Sequence, residues 1–308
     1  RCRQSCANCS ACPLRTKYGS NMRRVFNYIF WICASACMLF AGWLFLRIFI
    51  CDQFVVPSES MMPTLLPGDR ILVNKLLAGS RIYSKLEFRQ GVPLRSFRIP
   101  GLRGVHVNDV VVFNAPHGYD RDRIEFRINY VYAKRCVGTP GDSIAIRNGY
   151  FCNNRYKGII GDAGEQGRLA AMPDSSLPPN VLRAFPFDDR RYGWTIKNMG
   201  PLYIPRAGDR IELDSLNYEL YRLVVEYETG GELTCDGNLP RLNGEAVSTY
   251  EFRKNYYFFC GDNVVNSKDC RYLGFVPEDF VIGIARRITY SENPFGTKLK
   301  SRCWKRII

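Results

Sequence analysis

The chain has 308 residues, with 43 Lys and Arg against 29 Asp and Glu, a formal charge of +14, and 46% hydrophobic and 13% aromatic residues. That is enough length and apolar content for one large or two smaller folded domains, and it excludes a largely disordered chain. A mean hydropathy of −0.20 excludes a multi-spanning membrane protein, and basic residues spread without a recognition motif argue against a nucleic-acid partner and suit anionic lipid headgroups instead.

The N-terminal tail carries Cys2, Cys6, Cys9 and Cys12 among 13 cysteines. The spacing resembles a zinc or iron–sulfur knuckle, but no histidine or second knuckle accompanies it, so no metal is expected there. From Val25 to Ile50 the sequence is nearly all apolar, broken by Asn27, Ser35 and Arg47. A helix of that length crosses a hydrocarbon core of about 30 Å. Its exit, Arg47-Ile48-Phe49-Ile50-Cys51-Asp52, lacks a small-residue cleavage site, so it reads as an uncleaved anchor. Arg1, Arg3, Arg15, Lys17, Arg23 and Arg24 precede the span and no acidic residue occurs before Asp52. The positive-inside rule then puts residues 1–24 in the cytoplasm, the span at 25–50, and everything after it on the far side, a periplasmic or extracytoplasmic location. Met22, just ahead of Arg23-Arg24, reads as a start, with the residues before it an upstream extension.

The stretch that organises the rest is Phe54–Lys75, F-V-V-P-S-E-S-M-M-P-T-L-L-P-G-D-R-I-L-V-N-K. A strand-like entry stops at Pro57, which cannot donate to a ladder. A second strand is expected over Arg70–Asn74 from its aliphatic and β-branched content. Ser58 and Ser60 therefore sit in a bend between two strands, where reactive side chains are presented on a rigid base. An isolated Ser-x-Ser is ordinarily just a polar turn. The bend follows the membrane exit by about ten residues, a tether of roughly 35 Å fully extended, so this surface is expected to work beside the bilayer.

Leu76–Arg103, rich in Arg, Gly and Pro, is expected to be an irregular or hairpin excursion. Strands follow at Asp109–Phe113 and Asn129–Gly138. Alternation in the second puts Tyr132, Lys134 and Cys136 on one face and Val131, Ala133, Arg135 and Val137 on the other, with Arg135 to solvent. Asn148-Gly149 and Asn243-Gly244 are hairpin signals. Gly68-Asp69, Gly141-Asp142 and Gly208-Asp209 each feed a strand, as repeated turn chemistry without a tandem repeat. Lys157–Pro205 shows little periodicity and is expected to hold loops and short strands. Leu216, Leu220, Leu223, Val224 and Tyr227 fall at helical spacing after Asp214-Ser215, so one amphipathic helix is placed there. Tyr256–Cys260 and Val281–Tyr290 are the last strands. The basic tail, 293–308 with Trp304 and Ile307-Ile308, reads as a solvated end or a membrane contact. The fold expected is mostly β: an antiparallel catalytic sheet domain, 51–149 and 251–292, with a smaller β-rich subdomain inserted at 150–250, preceded by one transmembrane helix.

Only two histidines exist, His106 and His117. Without a G-x-S-x-G elbow or a ligand motif, both read as structural or surface residues, and neither a metal nor a cofactor is expected. A serine can instead be activated by a neutral lysine, which must be desolvated from a pKa of about 10.4 to roughly 7–8 to serve as a base. Lys134, on a strand among Tyr132 and Cys136, is the candidate; Lys75, at a strand end, suits exposure. Cys51, Cys136, Cys152, Cys235, Cys260, Cys270 and Cys303 could oxidise beyond the membrane, but seven is odd and the pairing is left open.

Four boxes in order resemble the bacterial type I signal peptidases, membrane-bound serine endopeptidases that remove signal peptides from exported proteins. They are Pro57–Leu65, Gly68–Lys75, Tyr132–Asp142 and Gly261–Gly274. The resemblance implies Ser60 as nucleophile and Lys134 as general base. It implies an oxyanion hole from the Ser58 hydroxyl and the Ser60 N–H, with Ser267 orienting the lysine and Asp269 with Arg271 supporting the loop. Phe54, Val56, Met61 and Tyr132 would shape shallow pockets for small side chains, so exported preproteins cut after Ala-x-Ala would be the partners, in a membrane setting. Cys270, Leu273 and Val264-Val265 depart from the pattern without removing a catalytic group. A self-cleaving repressor-type protease shares this chemistry, but the anchor and the lack of a DNA-binding module oppose it. An inactive anchored β scaffold that binds a partner protein is the alternative from a different class.

Overall fold

The computed structural model describes residues 14–84, 96–117, 122–237, 239–293 and 295–307, with side chains in the first helix from 22 onward. The N-terminal cysteine cluster and residues 85–95 of the excursion lie outside the described residues. The chain divides into two units, the first ending at Ile48 and the second running over Phe49–Ile308.

The first unit is α1 (Leu14–Phe45), which continues through one wider turn at Leu46–Ile50. It begins well before the apolar run. Within it Met22–Ile50, 29 residues, is long and apolar enough to cross a membrane, and large side chains such as Phe26, Trp31 and Leu39 are exposed along it.

The second unit opens with β1 (Cys51–Val55) and β2 (Arg70–Asn74), paired antiparallel with Cys51 opposite Asn74 and Val55 opposite Arg70. Asn74 then caps α2 (Lys75–Ala78), its side chain accepting from the Leu77 N–H. β3 (Arg81–Tyr83) and β4 (Ser96–Arg98) form the arms of the excursion. β5 (Val110–Asn114) and β6 (Val131–Gly138) follow. A second group of elements comes next: β7 (Ser143–Arg147), β8 (Tyr150–Asn153), α3 (Ala163–Ala171), α4 (Pro179–Leu182), β9 (Met199–Tyr203), β10 (Arg210–Glu212), α5 (Ser215–Thr229), β11 (Leu233–Asp236), β12 (Leu239–Leu242), β13 (Glu245–Ala246) and β14 (Thr249–Glu251). The chain closes with β15 (Tyr256–Cys260), α6 (Cys270–Leu273), β16 (Val276–Pro277) and β17 (Val281–Tyr290). The main sheet has seven strands in the order β1-β2-β17-β5-β6-β15-β16, its pairs all antiparallel. Register shifts put extra residues in β6, opposite β15, and in β17, and such bulges bend and twist a strand and so curl the sheet.

Apolar residues cover both faces of this sheet. Val111 and Phe113 of β5 belong to the large core, whereas Val110 and Val112 belong to a smaller one with Val56, Met61, Leu65, Ile71 and Ile307. Hence every residue of β5 is buried, as expected of a strand sandwiched on both sides. The large core also takes side chains from the second group, including Ile144, Leu169, Tyr221 and Val224. β7 pairs with β8 through the Asn148-Gly149 turn and with β9 on its other edge.

The three Gly-Asp turns share one construction. Gly68, Gly141 and Gly208 have φ of 91°, 83° and 86°, which the third position of a type II turn requires. In the first two the Asp carboxylate reaches back to a main-chain N–H, Leu66 to Asp69 and Thr139 to Asp142, each at 2.8 Å.

Two expectations fail. The Lys157–Pro205 stretch holds a real helix, α3, capped by Asp162, whose carboxylate accepts from the Glu165 N–H. Gly164 and Gly167 weaken its helical signature, and the burial of Leu169 and Gln166 overrides them. The C-terminal tail is docked rather than solvated. Ile307 is buried in the smaller core, its N–H donates to the Arg286 carbonyl at 3.1 Å, and the Arg302 guanidinium binds the Asp69 carboxylate and the Thr64 carbonyl. An apolar side chain and a paired cation suffice to hold a short basic end. Trp304 remains exposed.

Candidate active site

The segment between β1 and β2 is a closed excursion. The Val56 N–H donates to the Asp69 carbonyl at 2.8 Å, and the Gly68 N–H to the Val56 carbonyl at 2.9 Å. Within it the Leu65 N–H reaches the Met61 carbonyl, and Met61 and Leu65 are buried below while Ser58 and Glu59 face outward. Apolar residues thus anchor a short loop that holds two hydroxyls up: Ser58 Oγ lies 3.2 Å from Ser60 Oγ.

Lys134 comes from the middle of β6. It is 4% exposed, its Nζ is hydrogen-bonded to Ser60 Oγ, and Nζ sits 5.8 Å from the Tyr132 ring centroid. Burial pushes its pKa from an ordinary 10.5 down to about 8; Asp269 opposes this and Arg271 adds to it. The charged form is disfavoured because a desolvated ammonium has lost its water without gaining a direct counter-ion. Lys75 instead pairs with Asp52 at 3.4 Å.

The loop from Gly261 to α6 closes over this pair. Asp269 and Arg271 have no exposed side-chain area and are joined through Arg271 Nε to Oδ1 at 2.9 Å and Nη2 to Oδ2 at 2.8 Å. Asp269 also accepts from the Gly261 N–H, and Arg271 donates to the Val264 carbonyl at 2.6 Å. Burial works to raise the Asp269 carboxyl, but the Arg271 guanidinium overcomes it and holds the pKa below the usual carboxylate range. Gly261 is where this loop touches the nucleophile: a Cβ there would overlap Ser267 Oγ and the Ser60 carbonyl oxygen. The bond expected from Ser267 to the lysine is not made. Ser267 Oγ is buried with no hydrogen-bond partner and packs over Gly261.

Arg135 corrects the strand reading. It is 5% exposed and binds Asp262 through Nε and Nη2, each at 2.6 Å, with Nη1 on the Asn108 carbonyl. Alternation assigned it to the face away from Lys134, and that face is covered too. The pair ties β6 to the first turn of the closing loop. The inserted elements brace the far end of that loop: the Phe185 N–H donates to the Arg271 carbonyl at 2.7 Å, and Tyr272 OH to the Val181 carbonyl. His117 has one ring nitrogen on the Arg123 carbonyl and the other on that of Leu273, a structural setting. All nine described cysteines are unpaired, and Cys136, Cys260 and Cys270 are buried. Among the described residues no group of three or more His, Cys, Asp or Glu side chains gathers to hold a metal.

Ser58, Ser60 and Lys134 open into a cleft of about 470 Å³, and Phe54, Val56, Met61 and Tyr132 all line it. Ile71, Val112, Val131 and Ala133 extend the apolar lining, while Glu59, Asn266 and Lys268 add polar rim groups that the sequence did not single out. Their signal was present only as positions within the boxes, since nothing in an isolated exposed residue says that a cleft passes beside it. A hydroxyl bonded to a desolvated amine at the mouth of an apolar cleft has the parts for acyl transfer.

The family model described as "Signal peptidase, peptidase S26" matches residues 25–290. Among relatives named Signal peptidase I, that of Pseudomonas aeruginosa is 38% identical over 252 residues, covering 79% of this chain and 66% of its own. That of Buchnera aphidicola from Acyrthosiphon pisum is 29% identical over 279 residues, covering 87% and 78%. That of Aquifex aeolicus is 27% identical over 248 residues, covering 80% and 79%.

Proposed function

Since this chain belongs to the peptidase S26 family of signal peptidases, and so is a serine peptidase that acts on signal peptides, we propose that it cuts exported preproteins after Ala-x-Ala with Ser60 as nucleophile and Lys134 as general base. The observation that carries this is the hydrogen bond between Lys134 Nζ and Ser60 Oγ, with Nζ buried and its proton affinity depressed. With Nζ neutral, the Ser60 hydroxyl donates to it and gives up its proton as Oγ attacks the scissile carbonyl. The Ser58 hydroxyl and the Ser60 N–H receive the oxyanion. Nζ then returns the proton to the departing amine, and a water repeats the cycle on the acyl-enzyme. Asp269 and Arg271 act as support for the closing loop, and the Ser267 hydroxyl, buried with no partner of its own, is the one available to orient Nζ.

Phe54, Val56, Met61 and Tyr132 offer shallow apolar contacts that accept alanine and exclude bulk by overlap. The apolar helix over Met22–Ile50 suits an anchor, and the cations ahead of it support, by the positive-inside rule, a cytoplasmic N-terminus with the cleft on the opposite side. Exported preproteins and the lipid surface are the partners, with no cofactor.

The test is cleavage of a preprotein in detergent by the intact chain and by Ser60→Ala and Lys134→Ala. Each variant is expected to lose activity by about 10⁴-fold or more while keeping its circular dichroism; cleavage by either would remove that residue from its role. Because the amine must be unprotonated, kcat should fall about tenfold per pH unit below its folded pKa of about 8 and level off above it. A flat profile between pH 6 and 9 would contradict a lysine base.

A further inference from the structure

We infer that Lys268 reads charge on the leaving side of the scissile bond and favours an acidic residue among the first three after the cut; this rests on the cleavage reaction proposed above. The cleft is lined by two kinds of side chain. Phe54, Val56, Ile71, Val112, Val131 and Ala133 make it largely apolar, Asn129 adds one amide beside Val131, and Glu59, Asn266 and Lys268 form a polar end where the closing loop meets the nucleophile peptide. The polar end is assembled by the closing loop lying along the nucleophile peptide. The Asn263 N–H donates to the Ser60 carbonyl at 3.2 Å, Asn263 Nδ2 to the Glu59 carbonyl at 3.2 Å, and Asn266 Nδ2 to Glu59 Oε2 at 3.4 Å.

The small apolar side chains before the cut belong at the apolar end. A peptide that places its carbonyl over Ser60 and hands its amine to Lys134 must then leave across Asn266 and Lys268. The charges it meets there are few. Arg271 and Asp269 are closed on each other, as are Arg135 and Asp262, and Lys134 is neutral in its working form. Lys268 is exposed and among the described residues has no carboxylate within ion-pair distance. Glu59 faces the same exit, but its carboxylate is engaged by the Asn266 amide and repels an acidic side chain, which directs that side chain toward Lys268. A cation on the rim is suited to selecting partners by charge, through approach and register.

The experiment uses the full chain in detergent with preproteins identical except for Asp or Lys placed in turn at each of the first three positions after Ala-x-Ala. The readout is the ratio of kcat/KM for Asp over Lys within each variant, so a general change in activity cancels. At about 50 mM salt one position should show roughly a fivefold preference for Asp, the size of an exposed ion pair, shrinking toward one near 1 M salt, where the screening length is about 3 Å. Lys268→Gln should bring that ratio near one, and Lys268→Glu should invert it. A ratio unmoved by either substitution, or one at every position that ignores salt, overturns the role of Lys268. If no preprotein is cut by the unaltered chain, it is the cleavage reaction itself that fails.

Discussion

The ion pairs around the candidate dyad and those on the inserted elements differ in kind. Asp269–Arg271 has 0% exposure on both partners and Arg135–Asp262 has 6% and 1%, whereas Arg210–Glu251 has 75% and 51% and Arg183–Asp189 has 46% and 60%. In water a pair gains little and spends side-chain entropy to hold its geometry. Buried, the same chemistry loses much of its gain to desolvation, yet it cannot lose one member without leaving an uncompensated charge. The difference teaches that the loop over Ser60 and Lys134 is held by groups whose value lies in fixing one arrangement, while exposed pairs such as these on the inserted elements carry charge mainly for solvation.

That contrast breaks first at Arg271. Arg271→Met leaves the Asp269 carboxylate buried without its counter-ion and is expected to destabilise by about 3–5 kcal/mol in urea melts; an effect near zero would mean that Asp269 is reached by water after all. Lys134 is next, with the opposite sign. Between its folded value of about 8 and the ordinary 10.5 the unfolded chain binds a proton that the folded chain lacks, so stability rises with pH across that window and the full penalty is present below it. Lys134→Met should therefore be inactive yet more stable at pH 7, by up to about 3 kcal/mol at about 1.4 kcal/mol per pH unit. The gain should disappear above pH 10.5, and equal stability at both pH values would refute a desolvated amine. The smallest effect belongs to Arg210→Ala, within about 0.5 kcal/mol by the same melts; a loss comparable to that of Arg271 would erase the distinction between the two regions.

Much of this was legible in the residues. Val281–Tyr290 and Tyr256–Cys260 are strands with the bounds their apolar runs indicate, the helix after Asp214 is present and capped by that residue, and both Asn-Gly hairpins form. Ser60 and Lys134 could be paired from sequence because each stands in a box with its neighbours in order. What was hidden depends on what covers a surface. Arg135 was assigned to solvent by strand alternation, which distinguishes two faces and does not say that either is wet. Lys298–Ile307 looked like a free end because a few residues with one buried isoleucine and one paired arginine give no periodic signal. Ser267 could be placed in the closing loop by its box, but a box does not say which partner a hydroxyl meets, and this one is buried without any.

Cys260 and Cys270 are buried near Lys134, with Cys136 buried two residues further along the same strand, and burial raises all three thiols above their ordinary pKa. Alkylating reagents act on thiolates, so in the native protein these sulfurs should be silent until the sheet transiently opens. Mapping iodoacetamide uptake by peptide, against the half-exposed Cys152 as internal standard, would turn this interior into its own stopwatch and time how often the ground beneath the amine gives way.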